Sequence, residues 1–232
     1  MNVRRVLIVM AKAPMEGRVK TRLGASLGHR EAVRVYRQLA EGLWANLRRG
    51  QEQGAYQLWL CFDPPEAREE MQSWLSGADA YLPQVSGHLG LRLAGALEAA
   101  LSEGIQEVAI IGTDTPAVTH EVVEEAFREG RPDRLVVGPT LDGGFYLMLT
   151  VGQVPGLEGV LATMPWSTPE TLEALILGAG GLGLDVRTLD LQNDIDTLED
   201  LLAHRKGPLA ATFPLYKFVP CEGGEYCGSN CW

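Results

Sequence analysis

The chain has 232 residues, 46% of them hydrophobic, and 30 acidic against 20 basic side chains give a formal net charge of -10. Length and apolar content suit one large domain with a sizeable core, and the acidic balance speaks against nucleic acid, whose phosphate backbone needs a basic face. No apolar run reaches the roughly 20 residues of a membrane span, and the run after Arg4 and Arg5 stops at Lys12, too short for the apolar segment of a signal peptide, so a cytoplasmic protein is expected.

Val6 to Met10 is a continuous apolar run rich in β-branched residues, the pattern of a strand buried on both faces of a parallel sheet. The loop after it carries Lys12, Arg18, Lys20 and Arg22, with Pro14 and Gly17 bending the backbone between them. Such a loop is either a solvated basic surface or an anion site. At the carboxyl end of a parallel strand the natural anion is a nucleotide phosphate. Neither a Walker A cradle nor a G-x-G-x-x-G fingerprint occurs.

His29 to Gly50 repeats apolar residues every three or four positions, at Val33, Tyr36, Leu39, Leu43 and Leu47, which predicts an amphipathic helix. Tyr56 to Phe62 predicts a strand, and Asp63-Pro64-Pro65 a helix start with Asp63 as the cap. A short extended piece at Ala80 to Pro83 leads into the turn-rich Gln84-Val-Ser-Gly-His-Leu-Gly and a helix through Leu101. Val108 to Ile111 is a second fully apolar strand, running directly into Gly112-Thr-Asp-Thr-Pro116. Asp114 therefore stands at a strand tip, either as a metal ligand facing the basic loop or as part of a turn before a helix near Thr119.

Leu135 to Pro139 and Phe145 to Thr150 predict two strands joined by Thr140-Leu-Asp-Gly-Gly, a hairpin whose paired glycines would also let a ligand approach the backbone. Gly152 to Gly159 reads as a Pro/Gly-rich connection, and Met164-Pro-Trp-Ser-Thr as the entry to a helix, with Trp166 either a hydrophobic staple or an aromatic wall. Leu184 to Leu191 predicts the last strand. It leads to Gln192-Asn-Asp-Ile-Asp, where Asp196 and Glu199 resemble a capping box. Strand and helix alternate throughout, which predicts an α/β domain with a central, mostly parallel mixed sheet flanked by helices.

The opening A-K-x-P-x-x-G-x-V-K-T-R-L, at 11–23, resembles the start of a glycosyltransferase-like family of the nucleotide-diphospho-sugar transferase superfamily, often labelled for arsenosugar biosynthesis and related to enzymes that guanylylate phospholactate and molybdopterin. G-T-D-T-P at Gly112, P-x-x-D-G-G-F-Y at Pro139, Trp166-Ser-Thr and D-I-D-T-L-E-D-L at Asp194 carry the likeness on to about residue 206. The resemblance implies a GT-A type domain over 1–206 and a Cys-containing tail over 207–232. It implies a divalent-metal-dependent glycosyltransferase with a nucleotide-sugar donor and a small-molecule acceptor; nucleotidyl transfer from a nucleoside triphosphate, releasing pyrophosphate, is the alternative.

The same resemblance implies the site. Lys20, Asp114 and Asp196 are the expected catalytic residues, with Mg²⁺ or Mn²⁺ between Asp114 and Asp196 and Asp194 in reserve. Nucleotide contacts are expected from Ala11, Lys12, Arg18, Lys20, Arg22, Gln84, Gly87 and Asp114, although His88 stands where the family carries an acidic residue. Asp142, Gly143, Gly144 and Trp166 are expected on the sugar or acceptor side. Cys61 falls in a predicted strand and reads as core, whereas Cys221, Cys227 and Cys231 would offer three thiolates to zinc or trivalent arsenic, or belong to a plain tail.

Overall fold

A computed structural model describes residues 4–207 and, as backbone, the two-residue strands Val219–Pro220 and Tyr226–Cys227. The proposed thiolate set of Cys221, Cys227 and Cys231 lies outside the described residues and side chains. Seven strands form one sheet: β1 (Arg5–Lys12), β2 (Gln57–Asp63), β3 (Ala80–Pro83), β4 (Glu107–Ile111), β5 (Arg134–Pro139), β6 (Phe145–Val151) and β7 (Asp185–Thr188). Their order is β3-β2-β1-β4-β6-β5-β7, and β6 alone runs against its neighbours. The expected mostly parallel mixed sheet is what the chain forms.

β1 lies between β2 and β4, parallel to both, so its residues are covered on both faces. Leu7 and Val9 join one core with Leu43, Leu47, Met71 and Phe127, while Val6 and Ile8 join the other with Leu93, Leu97, Leu161 and Leu175. That split follows from the two-residue period of a strand. Each such side chain, fully removed from water, contributes up to about 1.5–3 kcal/mol. The first core is roofed by α2 (His29–Glu52), α3 (Arg68–Trp74) and α5 (His120–Glu129), the second by α4 (Leu89–Ser102), α6 (Leu157–Thr163) and α7 (Thr171–Gly181). α1 (Thr21–Leu27) and α8 (Leu198–Lys206) share a smaller core with α2 through Leu23, Leu27, Val35 and Leu201, which Ile195 joins from the segment before α8.

Several expected boundaries move. The buried stripe of α2 uses Val35 with Leu39, Leu43 and Leu47, and Val33 is only half-buried. The expected connection, Gly152 to Gly159, contains the start of α6, because Gly156 in the left-handed region (φ 90°) sets up the turn and Leu157 and Leu161 bury. The helix expected directly after Trp166 begins only at Thr171. β7 stops at Thr188; beyond it the chain leaves the ladder and crosses the sheet's carboxyl edge, Gln192 N–H donating to Pro139 O and Ile195 N–H to Asp114 O. Asp63 is the end of β2 and caps no helix; it pairs with Arg92. Cys61 is buried within β2 as expected, and burial pushes its thiol up to about 12.

Candidate functional site

The carboxyl ends of β1 and β4, the loop from Ala13 to Lys20 and the crossing segment from Leu189 to Thr197 converge on one point. Three short hydrogen bonds shape the loop: Ala13 N–H to Asp63 O, Met15 N–H to Ala13 O and Arg18 N–H to Met15 O. Gly17 supplies a left-handed turn at φ 73°. Lys20 closes the loop and starts α1, and it too is left-handed, at φ 46° and ψ 47°. For a residue with a Cβ this costs on the order of 1 kcal/mol, and it turns the lysine side chain inward.

Its ammonium is 2% exposed and lies 2.7 Å from Asp114 Oδ1 and 2.8 Å from Asp196 Oδ1. Burial by itself would lower the Lys20 pKa, but the two carboxylates outweigh it and hold the group above its ordinary value. Both carboxylates face solvent, at 42% and 40% exposure.

Asp196 is free for this contact because of a one-residue shift in the cap. The observed capping box uses Thr197 and Asp200, with Thr197 Oγ1 accepting from Asp200 N–H, rather than the expected Asp196 and Glu199. Asp194 accepts a bond from the Thr115 hydroxyl; burial pushes its carboxyl up to about 6, while that bond and Lys20 oppose the shift. Asp194 is thus held against the loop after β4, behind the pair formed by Asp114 and Asp196.

Tyr36, expected only as part of the apolar stripe of α2, completes the arrangement. Its buried hydroxyl accepts from Lys12 N–H and donates to Lys12 O, both at 2.9 Å, and it also meets Thr113 beside Asp114. One phenol therefore ties the tip of β1 to the tip of β4. Burial, with Asp114 adding, pushes it up to about 12, so it stays protonated. The only sequence signal was a hydroxyl-bearing ring inside an otherwise aliphatic face.

The remaining expected residues fall into two groups. Lys12, Arg18 and Arg22 are exposed around the loop and enter no ion pair among the described residues. Gln84 is buried; its amide donates to Ala11 O and Cys61 O, and its carbonyl accepts from Arg92. This side chain spends its polar groups joining the ends of β1 and β2, and Arg92 also holds Gly87 O and Asp63. Ala11 and Gln84 are in contact, and neither touches the Lys20 cluster through these bonds.

On the other side, Asp142 Oδ1 accepts from Thr140 Oγ1 and Gly144 N–H, shaping the hairpin between β5 and β6. Gly143 is required there: a Cβ would lie 2.1 Å from Pro169 O, and its carbonyl accepts from Leu172 N–H at the start of α7. Trp166 donates its indole N–H to Leu161 O and packs on Phe145 with ring centroids 5.9 Å apart. It braces α6 against β6, which accounts for its half-burial without a ligand.

The residues fit a divalent cation by the chemistry of the donors. Two half-exposed carboxylates from separate chain segments reach one nitrogen within hydrogen-bond distance, and phosphate-bound Mg²⁺ typically takes only one or two protein carboxylates, with water and phosphate oxygens completing its shell. No cluster of three or more His, Cys, Asp or Glu suited to a metal occurs among the described residues. A site here would depend on oxygens supplied by the ligand.

Residues 46–168 match the family described as an uncharacterized protein conserved in bacteria (DUF2064). The chain belongs to that family. The matched stretch includes Asp114, Asp142 and Trp166 and leaves out the basic loop and Asp196. No curated protein matches the chain. Among solved structures, a Desulfovibrio desulfuricans G20 protein provisionally named a nucleotide-diphospho-sugar transferase is similar with a TM-score of 0.79 and 25% identity, over 89% of this chain and 90% of its own. A nucleotidyl transferase from Methanothermobacter gives a TM-score of 0.57 at 15% identity, over 89% of this chain and 97% of that one. CMP:2-keto-3-deoxy-manno-octonic acid synthetase complexed with CTP gives 0.53 at 15% identity, over 90% and 99%. At 15% identity these last two share the fold. With this family and this likeness, the chain belongs to the nucleotide-diphospho-sugar transferase superfamily.

Proposed function

We propose that this protein is a divalent-metal-dependent glycosyltransferase that takes a nucleotide sugar as donor and a small molecule as acceptor. The observation that carries the reading is the buried Lys20 held between the solvent-facing carboxylates of Asp114 and Asp196. It places a cation and two potential metal ligands together at the strand ends where α/β folds bind phosphates. The similarity to the Desulfovibrio protein, by its name a nucleotide-diphospho-sugar transferase, supports the same direction.

In this reading Lys12, Arg18 and Arg22 draw the donor's diphosphate to the loop, and Lys20 bonds its oxygens as charge develops on the leaving group. The backbone at Ala11 and Gly87, held by Gln84 and Arg92, lies toward the nucleoside. A metal on Asp114 and Asp196 would supply further charge neutralisation at the diphosphate. Asp142, Gly143 and Gly144 offer the acceptor and sugar a polar turn, and Trp166 supports that wall. The acceptor hydroxyl forms a bond to the anomeric carbon and gives up its proton to solvent. The bond from that carbon to the β-phosphate oxygen breaks, and its electron pair leaves with the nucleoside diphosphate.

The leaving group tests the reading. Incubated with a panel of nucleotide sugars and Mg²⁺ or Mn²⁺, the protein should release nucleoside diphosphate. Pyrophosphate released from a nucleoside triphosphate, with every nucleotide sugar left intact, would reassign it as a nucleotidyltransferase, a reading that the folds of the Methanothermobacter and CTP-bound enzymes also accommodate.

A further inference from the structure

Lys20 occupies the position between Asp114 and Asp196 that a divalent cation bridging the two would need. Its ammonium touches an oxygen of each carboxylate, at 2.7 and 2.8 Å, and its side chain is 2% exposed. A cation bound to those same oxygens would sit within a few ångströms of a like charge, a strong repulsion at a site so poorly screened. Bare metal therefore has to displace the ammonium, and the displaced group, buried at the base of the loop, gains nothing in exchange. A diphosphate changes this balance. Its oxygens give the ammonium a new partner, free the two carboxylates and add ligands of their own to the metal.

We propose that Lys20 is a built-in counter-cation that keeps the metal seat closed until phosphate arrives, so that metal and diphosphate bind as a coupled pair. This rests on the assignment of Asp114 and Asp196 as metal ligands. Because linkage is reciprocal, diphosphate should tighten metal binding by the same factor by which metal tightens diphosphate binding, while the ammonium on both carboxylates weakens binding of the metal alone. The left-handed backbone at Lys20 serves the same end, since the side chain that leaves it lies between the two carboxylates.

The prediction runs against the usual expectation for loss of a site residue. Lys20→Met should bind Mn²⁺ alone at least tenfold more tightly than wild type, measured by electron paramagnetic resonance of free Mn²⁺, while losing affinity for inorganic pyrophosphate. Unchanged or weaker Mn²⁺ binding by a folded Lys20→Met overturns the proposal. In wild type, Mn²⁺ with inorganic pyrophosphate should raise the melting temperature well beyond the combined effects of either alone; an equal shift from Mn²⁺ alone overturns it even if the variant does not fold. Asp114→Asn and Asp196→Asn, each added to Lys20→Met, identify which claim has failed. If both abolish Mn²⁺ binding but Lys20→Met alone shows no gain, the closed seat is wrong and the metal assignment stands; if neither affects binding, the metal assignment falls as well.

Discussion

Ion pairs fasten both ends of the paired strands β1 and β4, and they are built the opposite way round. At the amino end Arg5 pairs with Glu107 at 2.7 Å, and there the carboxylate is the covered partner, 10% exposed against 38% for the arginine. Elsewhere at that end, Arg134 is itself the covered partner, 16% exposed between Glu129 and the solvent-facing Asp185. At the carboxyl end the cation is covered and the carboxylates stand in solvent. A buried acid with an exposed base is a strand-end fastening with nothing left to offer. A buried base that presents two acids outward at the carboxyl ends of parallel strands, where α/β folds bind phosphates, is a fastening that a ligand can take apart. A space of about 320 Å³ also lies at the amino end, lined by Arg4, Arg5, Gln51, Gln57 and Asp79. Asp79 there is committed to Leu58 N–H and Gln51, so the chemistry sits elsewhere.

Substitutions at the two ends should separate cleanly. The largest effect is expected for Asp114→Asn, which should lower transfer by about a thousandfold or more, roughly 4 kcal/mol of transition-state stabilisation, with little change in melting temperature because Asp196 still holds Lys20. Steady-state assays beside thermal denaturation check this, and near-normal turnover would remove Asp114 from the mechanism. Next, Lys20→Ala should weaken nucleoside diphosphate binding by about 1.5–3 kcal/mol, the range for a charged hydrogen bond, and leave nucleoside binding unchanged; Arg22→Ala, being exposed, should do the same more weakly. Calorimetry with both ligands distinguishes them, and equal losses for nucleoside and diphosphate would contradict a phosphate role.

At the amino end, Arg5→Met should cost about 1–3 kcal/mol of stability by leaving Glu107 covered and unpaired, with diphosphate affinity untouched. Chemical denaturation measures the first and calorimetry the second; a fall in affinity would undo the division between the ends. The smallest effect belongs to Tyr36→Phe. Loss of the hydroxyl that ties Lys12 to Thr113 should cost about 0.5–1.5 kcal/mol and reduce diphosphate affinity a few-fold, without altering nucleoside binding. A variant as tight as wild type would make Tyr36 a packing residue only.

The chain itself determined the strands, because Val6 to Met10 and Val108 to Ile111 are apolar without interruption and can lie only where both faces are covered. It also marked the charged residues worth following, since four cations in one loop of an acidic protein and an aspartate at the tip of each of two strand-like segments are local features. What it could not carry was which of those charges meet. Lys20 and Asp196 are 176 positions apart, and their contact depends on the crossing segment that joins Ile195 to the tip of β4, on a left-handed lysine, and on a cap displaced from Asp196 to Thr197. The first of these is settled by a backbone hydrogen bond between distant segments, Ile195 N–H to Asp114 O. Local pattern does not encode such bonds, so Tyr36 read as one more apolar position on a helix until the tertiary structure set its hydroxyl between two strand ends.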